Sequence, residues 1–291
     1  MTQSKIKNLL SQIYLALVPL LTIVFGLGVG YIGYKIYLPI WLLNVFFMSV
    51  AIWWLSNSAI KREGIWYKNI VISAILFLIP TMLTSMFFGL GAPPYESPEL
   101  WIKTLAEQRA RYYILLAAGL IITFGFSVLC QQLKKAGEDL YSAIGMVAIQ
   151  IAAPVFIINM SFWGFYLPRL YQQMVKLNTT TLPEWIFPMR TMFYYINVFA
   201  SALIYLAVIN FSMSLKKTSL LKSTTCNIYI CISALFLVLD LLPPSLPEPF
   251  STLNFIVSIP AVPFMLPYFM RINLLSRKSV SQFSEQKIIL S

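Results

Sequence analysis

The sequence has 291 residues, of which 59% are apolar and only 11% are charged, whereas about a quarter of the residues in a soluble domain are charged. With so few charges, the net charge of +11 does not indicate nucleic-acid binding. Histidine is absent, which removes the commonest protein ligand of zinc, copper and iron. We therefore expect an integral membrane protein with no metal site, no other cofactor and no nucleic-acid partner.

Eight apolar runs follow one another along the chain, and about 20 apolar residues suffice to cross a bilayer as one helix. The first run, residues 13–34, has no charged residue and is too long for the apolar part of a cleaved signal peptide. The predicted spans are 13–34, 40–57, 66–89, 112–133, 140–167, 192–215, 225–242 and 253–270. The expected fold class is an all-α polytopic bundle of about eight transmembrane helices over residues 13–270.

The basic residues lie mainly in alternate connections. Of the 21 Lys and Arg residues, 14 fall on the side that carries both termini and 7 on the other. By the positive-inside rule, the N-tail (1–12) and the basic C-tail (271–291) are then cytoplasmic. The outer loops are predicted at 91–111, 168–191 and 243–252, and we expect the bacterial inner (plasma) membrane as the location.

The three outer loops share a short pattern. Each contains a Ser or Thr followed closely by Pro-Glu, at Pro98-Glu99, Pro183-Glu184 and Pro247-Glu248. A hydroxyl cap, a proline and an early carboxylate favour the start of a helix. The pattern predicts a short helix in each loop and is consistent with a bundle of tandem helical hairpins.

A few polar side chains within the spans are candidates for a ligand path. Asp240 is the one acidic residue near a span interior, and the sequence favours a position at the wet interface over an embedded functional site, where Lys35 is a possible partner. The amides of Gln150, Asn159 and Asn197 are expected to line any cavity, although such groups more often join helices to one another.

Charged residues of the outer loops form a second candidate group. If the hairpins stack, these residues lie close together and could bind a zwitterion or a lipid headgroup; otherwise they form a solvated, mutually paired face. The candidates are Glu99, Arg109, Arg111, Glu184 and Arg190, with Glu107 beside them. The three cysteines, Cys130, Cys226 and Cys231, are expected to be free thiols buried in packing.

No catalytic motif is present, so the functional interpretation is a hypothesis. The favoured reading is a transporter or permease for a small or amphipathic solute, supported by mid-span prolines and buried amides. The alternative is a non-catalytic subunit, anchor or receptor that binds a protein or lipid partner through its aromatic outer loops. A lipid-modifying enzyme that uses the outer Glu and Arg residues is a third possibility. Expected partners are membrane lipids and either a protein or a second copy of the chain.

Overall fold

The computed structural model describes residues 3–28, 34–86, 98–179, 182–259 and 261–276, and within these ranges the chain consists of helices and short connections without a β-strand. The α-helices are α1 (Gln3–Gly28), α2 (Tyr34–Met86), α3 (Pro98–Lys103), α4 (Leu105–Lys135), α5 (Leu140–Ser161), α6 (Leu167–Lys176), α7 (Ile186–Lys217), α8 (Ser223–Asp240), α9 (Phe250–Ser258) and α10 (Ala261–Leu275). A π turn, Phe162–Tyr166, joins α5 to α6. The predicted all-α class is confirmed over the described residues.

Several of these helices are long and apolar enough to cross a membrane. Five segments meet that description on their own: Leu38–Asn57, Leu105–Lys135, Leu140–Lys176, Ile186–Lys217 and Ser223–Asp240. The pair α9 and α10, bent by 63°, makes a sixth if it counts as one broken span. Shorter apolar helices cover Ile6–Leu21 and Tyr67–Thr81. Each of the eight predicted spans therefore overlaps an apolar helical segment.

Helix α2 runs through residues 58–65, where the sequence predicts a connection between the second and third spans. It continues for 53 residues across Lys61, Arg62 and Glu63, which are good helix formers. A straight helix of that length measures about 80 Å, which is more than twice the thickness of a hydrocarbon core. The two apolar halves of α2 are thus joined by continuous helix rather than by a loop.

The segment after α5 also differs from the prediction. The sequence places a polar loop at 168–191, but the helix continues through the π turn to Lys176. Gly164 in the π turn lies against α4, where an added Cβ would approach the Cβ and Cγ of Tyr112 to 2.4 Å. Only a glycine permits this close approach of the two helices.

The predicted helix starts are found near all three Pro-Glu pairs. Helix α3 begins at Pro98, α7 begins two residues after Glu184, and α9 begins two residues after Glu248. Only the first and third of these helices are short, because α7 runs directly on into the next apolar segment. Trp101 of α3 is completely buried, with its ring 5.9 Å from that of Tyr171 in α6.

Helix α7 lies at the centre of the bundle. Within its most apolar window, 72% of the residues are buried, compared with 22% in Leu38–Asn57 and in α8. Small side chains such as Ala200 and Ala207 allow its neighbours to approach closely. On the periphery large apolar side chains are exposed, for example Trp53 at 62% and Phe124 at 61%, as expected for a surface that faces lipid.

Helix α10 closes the bundle against its earliest elements. The Tyr268 hydroxyl donates to the Leu15 carbonyl at 2.8 Å, and the Tyr67 hydroxyl donates to the Leu275 carbonyl at 2.9 Å. Because α10 continues to Leu275, the helix includes Arg271, which the sequence analysis assigned to the tail. The remainder of that predicted tail, 277–291, lies outside the described residues.

The turn between α4 and α5 is held by a buried carboxylate. Gly137 reverses the chain with a φ of +89°, a conformation that glycine adopts without strain. Glu138 then accepts the backbone N–H groups of Tyr141 at 3.0 Å and Ser142 at 3.1 Å. Burial opposes ionisation of this carboxyl, but the nearby Ser214 hydroxyl and the two N–H groups outweigh it, so the Glu138 pKa lies below its usual value.

Candidate functional site

A cluster of buried and half-buried polar side chains lies where α5, α7, α8 and α9 meet, beside the break between α9 and α10. We refer to it as the polar cluster. Its members are Asn159 of α5, Trp163 of the π turn, Asn197 and Ser201 of α7, Asp240 of α8, and Asn254 and Ser258 of α9. Of the four predicted ligand-path residues, Asn159, Asn197 and Asp240 therefore lie together in the polar cluster.

A chain of amide hydrogen bonds forms one side of the polar cluster. The Asn159 Nδ2 donates to Asn197 Oδ1 at 3.0 Å, and the Trp163 Nε1 donates to Asn159 Oδ1 at 3.0 Å. The Asn197 Nδ2 in turn donates to the Ser258 carbonyl at 2.6 Å. The carbonyls in the last turn of a helix lack partners within the helix, so Asn197 satisfies one of them at the end of α9.

Tyr205 supplies a second donor to the same helix end. Its hydroxyl donates to the Val257 carbonyl at 2.7 Å, and the side chain is fully buried. Helix α7 thus stabilises two consecutive carbonyls, those of Val257 and Ser258, at the point where α9 stops. In a membrane such satisfaction is what allows a helix to break inside the protein.

Asp240 forms the other side of the polar cluster and is completely buried. Its Oδ2 accepts the Ser201 hydroxyl at 2.7 Å, whereas its Oδ1 has no hydrogen-bond partner among the described residues. Lys35 is exposed, and neither of the two ion pairs seen in the described part of the chain involves Asp240. Asp240 is therefore buried within the protein, whereas the sequence favoured a position at the wet interface.

Asn254 explains why the end of α8 is buried. Its Nδ2 lies 3.0 Å from each of the carbonyls of Leu239, Asp240 and Leu242, and its Oδ1 accepts the Tyr194 hydroxyl. The amide closes the C-terminal end of α8 and ties it to α9 and α7. This contact folds α9 over Asp240, and the sequence offered no signal for it beyond one amide in an apolar run.

Gln150 is not part of the polar cluster. It is exposed on α5, nine residues before Asn159, which corresponds to about 13 Å along a helix. The prediction that Gln150, Asn159 and Asn197 line one cavity therefore has no geometric support for Gln150.

The outer-face candidates are distributed over several elements. Glu99 and Glu184 are exposed, and Arg109 and Arg190 are partly buried. Arg111 is only 3% exposed and forms an ion pair with Glu107 of the same helix at 3.3 Å. The pair is mutual, as one interpretation of the sequence has it, but it lies nearly buried on α4 and not on a solvated loop.

An apolar groove lies on the surface between α5 and α7. Its volume is about 510 Å³, and it is lined by Val155, Ile158, Met192, Tyr195, Ile196 and Phe199. Ile158 and Ile196 directly precede the two amides of the polar cluster in sequence. Ile158 is 54% exposed whereas Asn159 is 1% exposed, so the groove opens to the exterior of the helices and not into the polar cluster.

Arg271 is a functional candidate that the sequence analysis missed. It is 1% exposed in α10, and its guanidinium carbon lies 5.7 Å from the ring of Phe77 and 6.0 Å from that of Phe126. Its Nη2 donates to the Gly125 carbonyl at 3.4 Å, while Nε and Nη1 have no partner among the described residues. The sequence signal for this burial is that Arg271 is flanked by two apolar residues, Met270 and Ile272.

The described residues contain no group of three or more Cys, Asp or Glu side chains that could hold a metal ion. Cys130 and Cys226 are buried free thiols as expected, whereas Cys231 is exposed. Comparison of the chain with protein-family models, curated proteins and solved structures found no match.

Proposed function

We propose that this chain is a transporter or permease for a small or amphipathic solute, threaded eight times through the plasma membrane of a bacterium with both termini in the cytoplasm. The observation that carries the proposal is the interrupted helix α9–α10 beside the buried polar cluster. Broken helices that place polar groups inside the bundle are the usual construction of a transporter binding site.

The proposed count of eight combines all the apolar segments. It requires α2 to reverse direction between Leu38–Asn57 and Tyr67–Thr81 in the membrane, because an unbroken helix crosses one bilayer only once. Six are the long segments and the bent pair, and two are the shorter helices Ile6–Leu21 and Tyr67–Thr81. Each short helix extends beyond its apolar window, within α1 or α2. An even number of crossings also agrees with the excess of Lys and Arg in the connections on the side of both termini.

The chemistry of the polar cluster supports passage of a solute better than a purely structural role. Asp240 is a buried carboxyl with one oxygen lacking a donor, which is expensive unless a proton, a cation or a solute group completes it. The amides of Asn159 and Asn197 can exchange their mutual hydrogen bond for bonds to a polar solute.

The proposal predicts that water reaches the polar cluster from each side of the membrane in turn. Ser201→Cys, in a background without the three native cysteines, is labelled in oriented membrane vesicles with a membrane-impermeant maleimide. The matched control retains the native Cys226 as the only thiol, because it is completely buried and lies 14 residues before Asp240 on α8. We expect the thiol at position 201 to react from both sides and Cys226 to react from neither. Equal protection of the two thiols would contradict transport through this site.

A flux assay gives the second test once a solute has been identified. Asp240→Asn and Asn159→Ala are expected to lower the rate of uptake into proteoliposomes, and Asn210→Ala serves as the control. Asn210 is also a buried amide, but among the described residues it donates only to the Leu206 carbonyl of its own helix. Uptake at the wild-type rate in both cluster variants would count against this path.

The alternative function, a non-catalytic membrane subunit, is favoured by the exposed flank of Leu38–Asn57. Asn44 in this segment accepts the Tyr14 hydroxyl of α1, whereas Phe46 and Trp53 are exposed at 60% and 62%. Either lipid or a partner protein can cover such a surface. Purification in a mild detergent distinguishes the two functions. A stoichiometric partner that cross-links to a photoreactive residue at position 53 would favour the subunit, and a monomer without a partner would favour transport.

A further inference from the structure

The buried guanidinium of Arg271 lacks the acceptors that such a group requires. A guanidinium carries five N–H donors and stays charged at any physiological pH. Here one donor reaches the Gly125 carbonyl, and that contact is long at 3.4 Å. The rings of Phe77 and Phe126 contribute cation–π attraction, but a ring face does not replace the missing negative charge.

None of the buried and half-buried carboxylates in the described part of the chain forms an ion pair with Arg271. Glu107 is paired with Arg111, Glu138 caps α5, and Asp240 accepts from Ser201. A carboxyl group can neutralise itself by taking up a proton, whereas an arginine cannot lose its charge in this way. Among the described residues, Arg271 is therefore a buried charge without a countercharge.

A second donor lies at the same place. The Ser73 hydroxyl, which is 1% exposed on α2, donates to the Gly125 carbonyl at 3.1 Å. The hydroxyl of Ser73 and the guanidinium of Arg271 thus converge on one oxygen atom of α4. A hydroxyl beside a guanidinium fork is a suitable donor set for an oxyanion, which accepts two parallel N–H bonds from arginine.

We propose that Ser73 and Arg271 bind the carboxylate or phosphate group of a ligand that is not part of this chain. The ligand group lies between α2, α4 and α10, the helices whose Ser73, Gly125 and Arg271 meet at this place. The inference builds on the proposed function, since it assigns an anionic group to the transported solute. A phospholipid headgroup would offer the same oxyanion and is distinguished below.

The test measures the thermal unfolding midpoint of the purified full chain in an uncharged detergent. Inorganic phosphate is titrated against chloride at constant ionic strength. We expect a saturable rise for the wild type that reaches about 5 °C when phosphate is at about a hundred times its dissociation constant. Arg271→Met should abolish the phosphate dependence, Arg271→Lys should weaken it, and Arg111→Met should leave it intact because Arg111 is paired with Glu107.

The phosphate dependence is the readout, since replacing a buried charge by methionine can itself raise or lower the midpoint. If Arg271→Met does not fold, Arg271→Lys and Ser73→Ala carry the comparison. Equal phosphate dependence in wild type and Arg271→Met, or none in the wild type, would overturn the proposal.

Two further measurements identify the source of the oxyanion and separate this inference from transport. Phospholipid that copurifies with the wild type but not with Arg271→Met assigns the site to a lipid headgroup, and its absence assigns the site to a soluble anion. Labelling of Ser201→Cys from both sides without any phosphate effect would leave transport standing and remove the anion site. A phosphate effect without labelling of Ser201→Cys from both sides would leave the anion site standing and remove transport through the polar cluster.

Discussion

Replacing Asn254 by alanine should loosen the joint between α7, α8 and α9. The asparagine is 1% exposed, and its amide approaches three carbonyls at the end of α8 while accepting the Tyr194 hydroxyl. Alanine leaves these carbonyls and the Tyr194 hydroxyl without their buried partner. The end of α8 is then free to separate from α9, which would expose Asp240.

The magnitude follows from the number of bonds that can form at once. An amide nitrogen has two protons, so the three carbonyls together receive two hydrogen bonds, and Tyr194 adds a third. At about 1 kcal/mol for each buried hydrogen bond, and somewhat less between membrane helices, the loss is about 2–3 kcal/mol in the free energy of unfolding.

The free energy of unfolding can be measured by SDS titration in mixed micelles, followed by circular dichroism. Asn210→Ala is the matched control, because that amide bonds only within its own helix, and its loss should cost less than about 1 kcal/mol. If Asn254→Ala and Asn210→Ala proved equally stable within error, the role assigned to Asn254 in closing α8 would be refuted.

Three further predictions concern the helix connections. Glu138→Gln should lower the free energy of unfolding by about 1 kcal/mol at neutral pH through loss of the helix cap. The pKa of Glu138 is depressed in the folded protein. Its contribution to stability is therefore present above the pKa of about 4.3 that it has in the unfolded chain, and it is lost as the pH falls below that value. The control Asp139→Asn should keep the pH dependence of the free energy of unfolding, since Asp139 is 83% exposed. If Asp139→Asn lost that pH dependence as fully as Glu138→Gln, the capping role of Glu138 would be refuted. Gly164→Ala should lower stability by about 1–3 kcal/mol, since the new methyl meets the tyrosine of α4, and an unchanged thermal midpoint in detergent would show that the π turn is not held there. In a cysteine-free background, Glu99→Cys should be labelled from outside intact cells and Ser223→Cys only after permeabilisation; both side chains are exposed, so equal labelling would reject the predicted topology.

The sequence was sufficient for the helical architecture because hydrophobic length and charge are local properties. It was less reliable at helix ends. The charged residues Lys61 to Glu63 predict a loop between the second and third spans, although Lys, Arg and Glu also favour helix, and α2 continues through them. Likewise Arg271 was read as the start of a cytoplasmic tail, because a basic residue after an apolar run normally marks the membrane boundary.

The polar cluster was only partly predictable for a different reason. Asn159, Asn197 and Asp240 stand out as polar residues in apolar runs, so the sequence names them. Their mutual geometry depends on Asn254 and Ser258, whose role arises only when α9 folds back against α7 and α8. Periodicity within one helix carries no information about such contacts between helices distant in sequence.

The hydrogen bond between Tyr268 and Leu15 joins positions 253 residues apart. At a synthesis rate of about 5–20 residues per second, the ribosome needs roughly 13–50 seconds to make that interval. During that time, the surface of the first helices that later packs against α10 has no intramolecular partner and must be shielded by lipid or by the insertion machinery. A released chain truncated before residue 261 should therefore be far more susceptible to membrane quality-control proteases than a released chain truncated after residue 276.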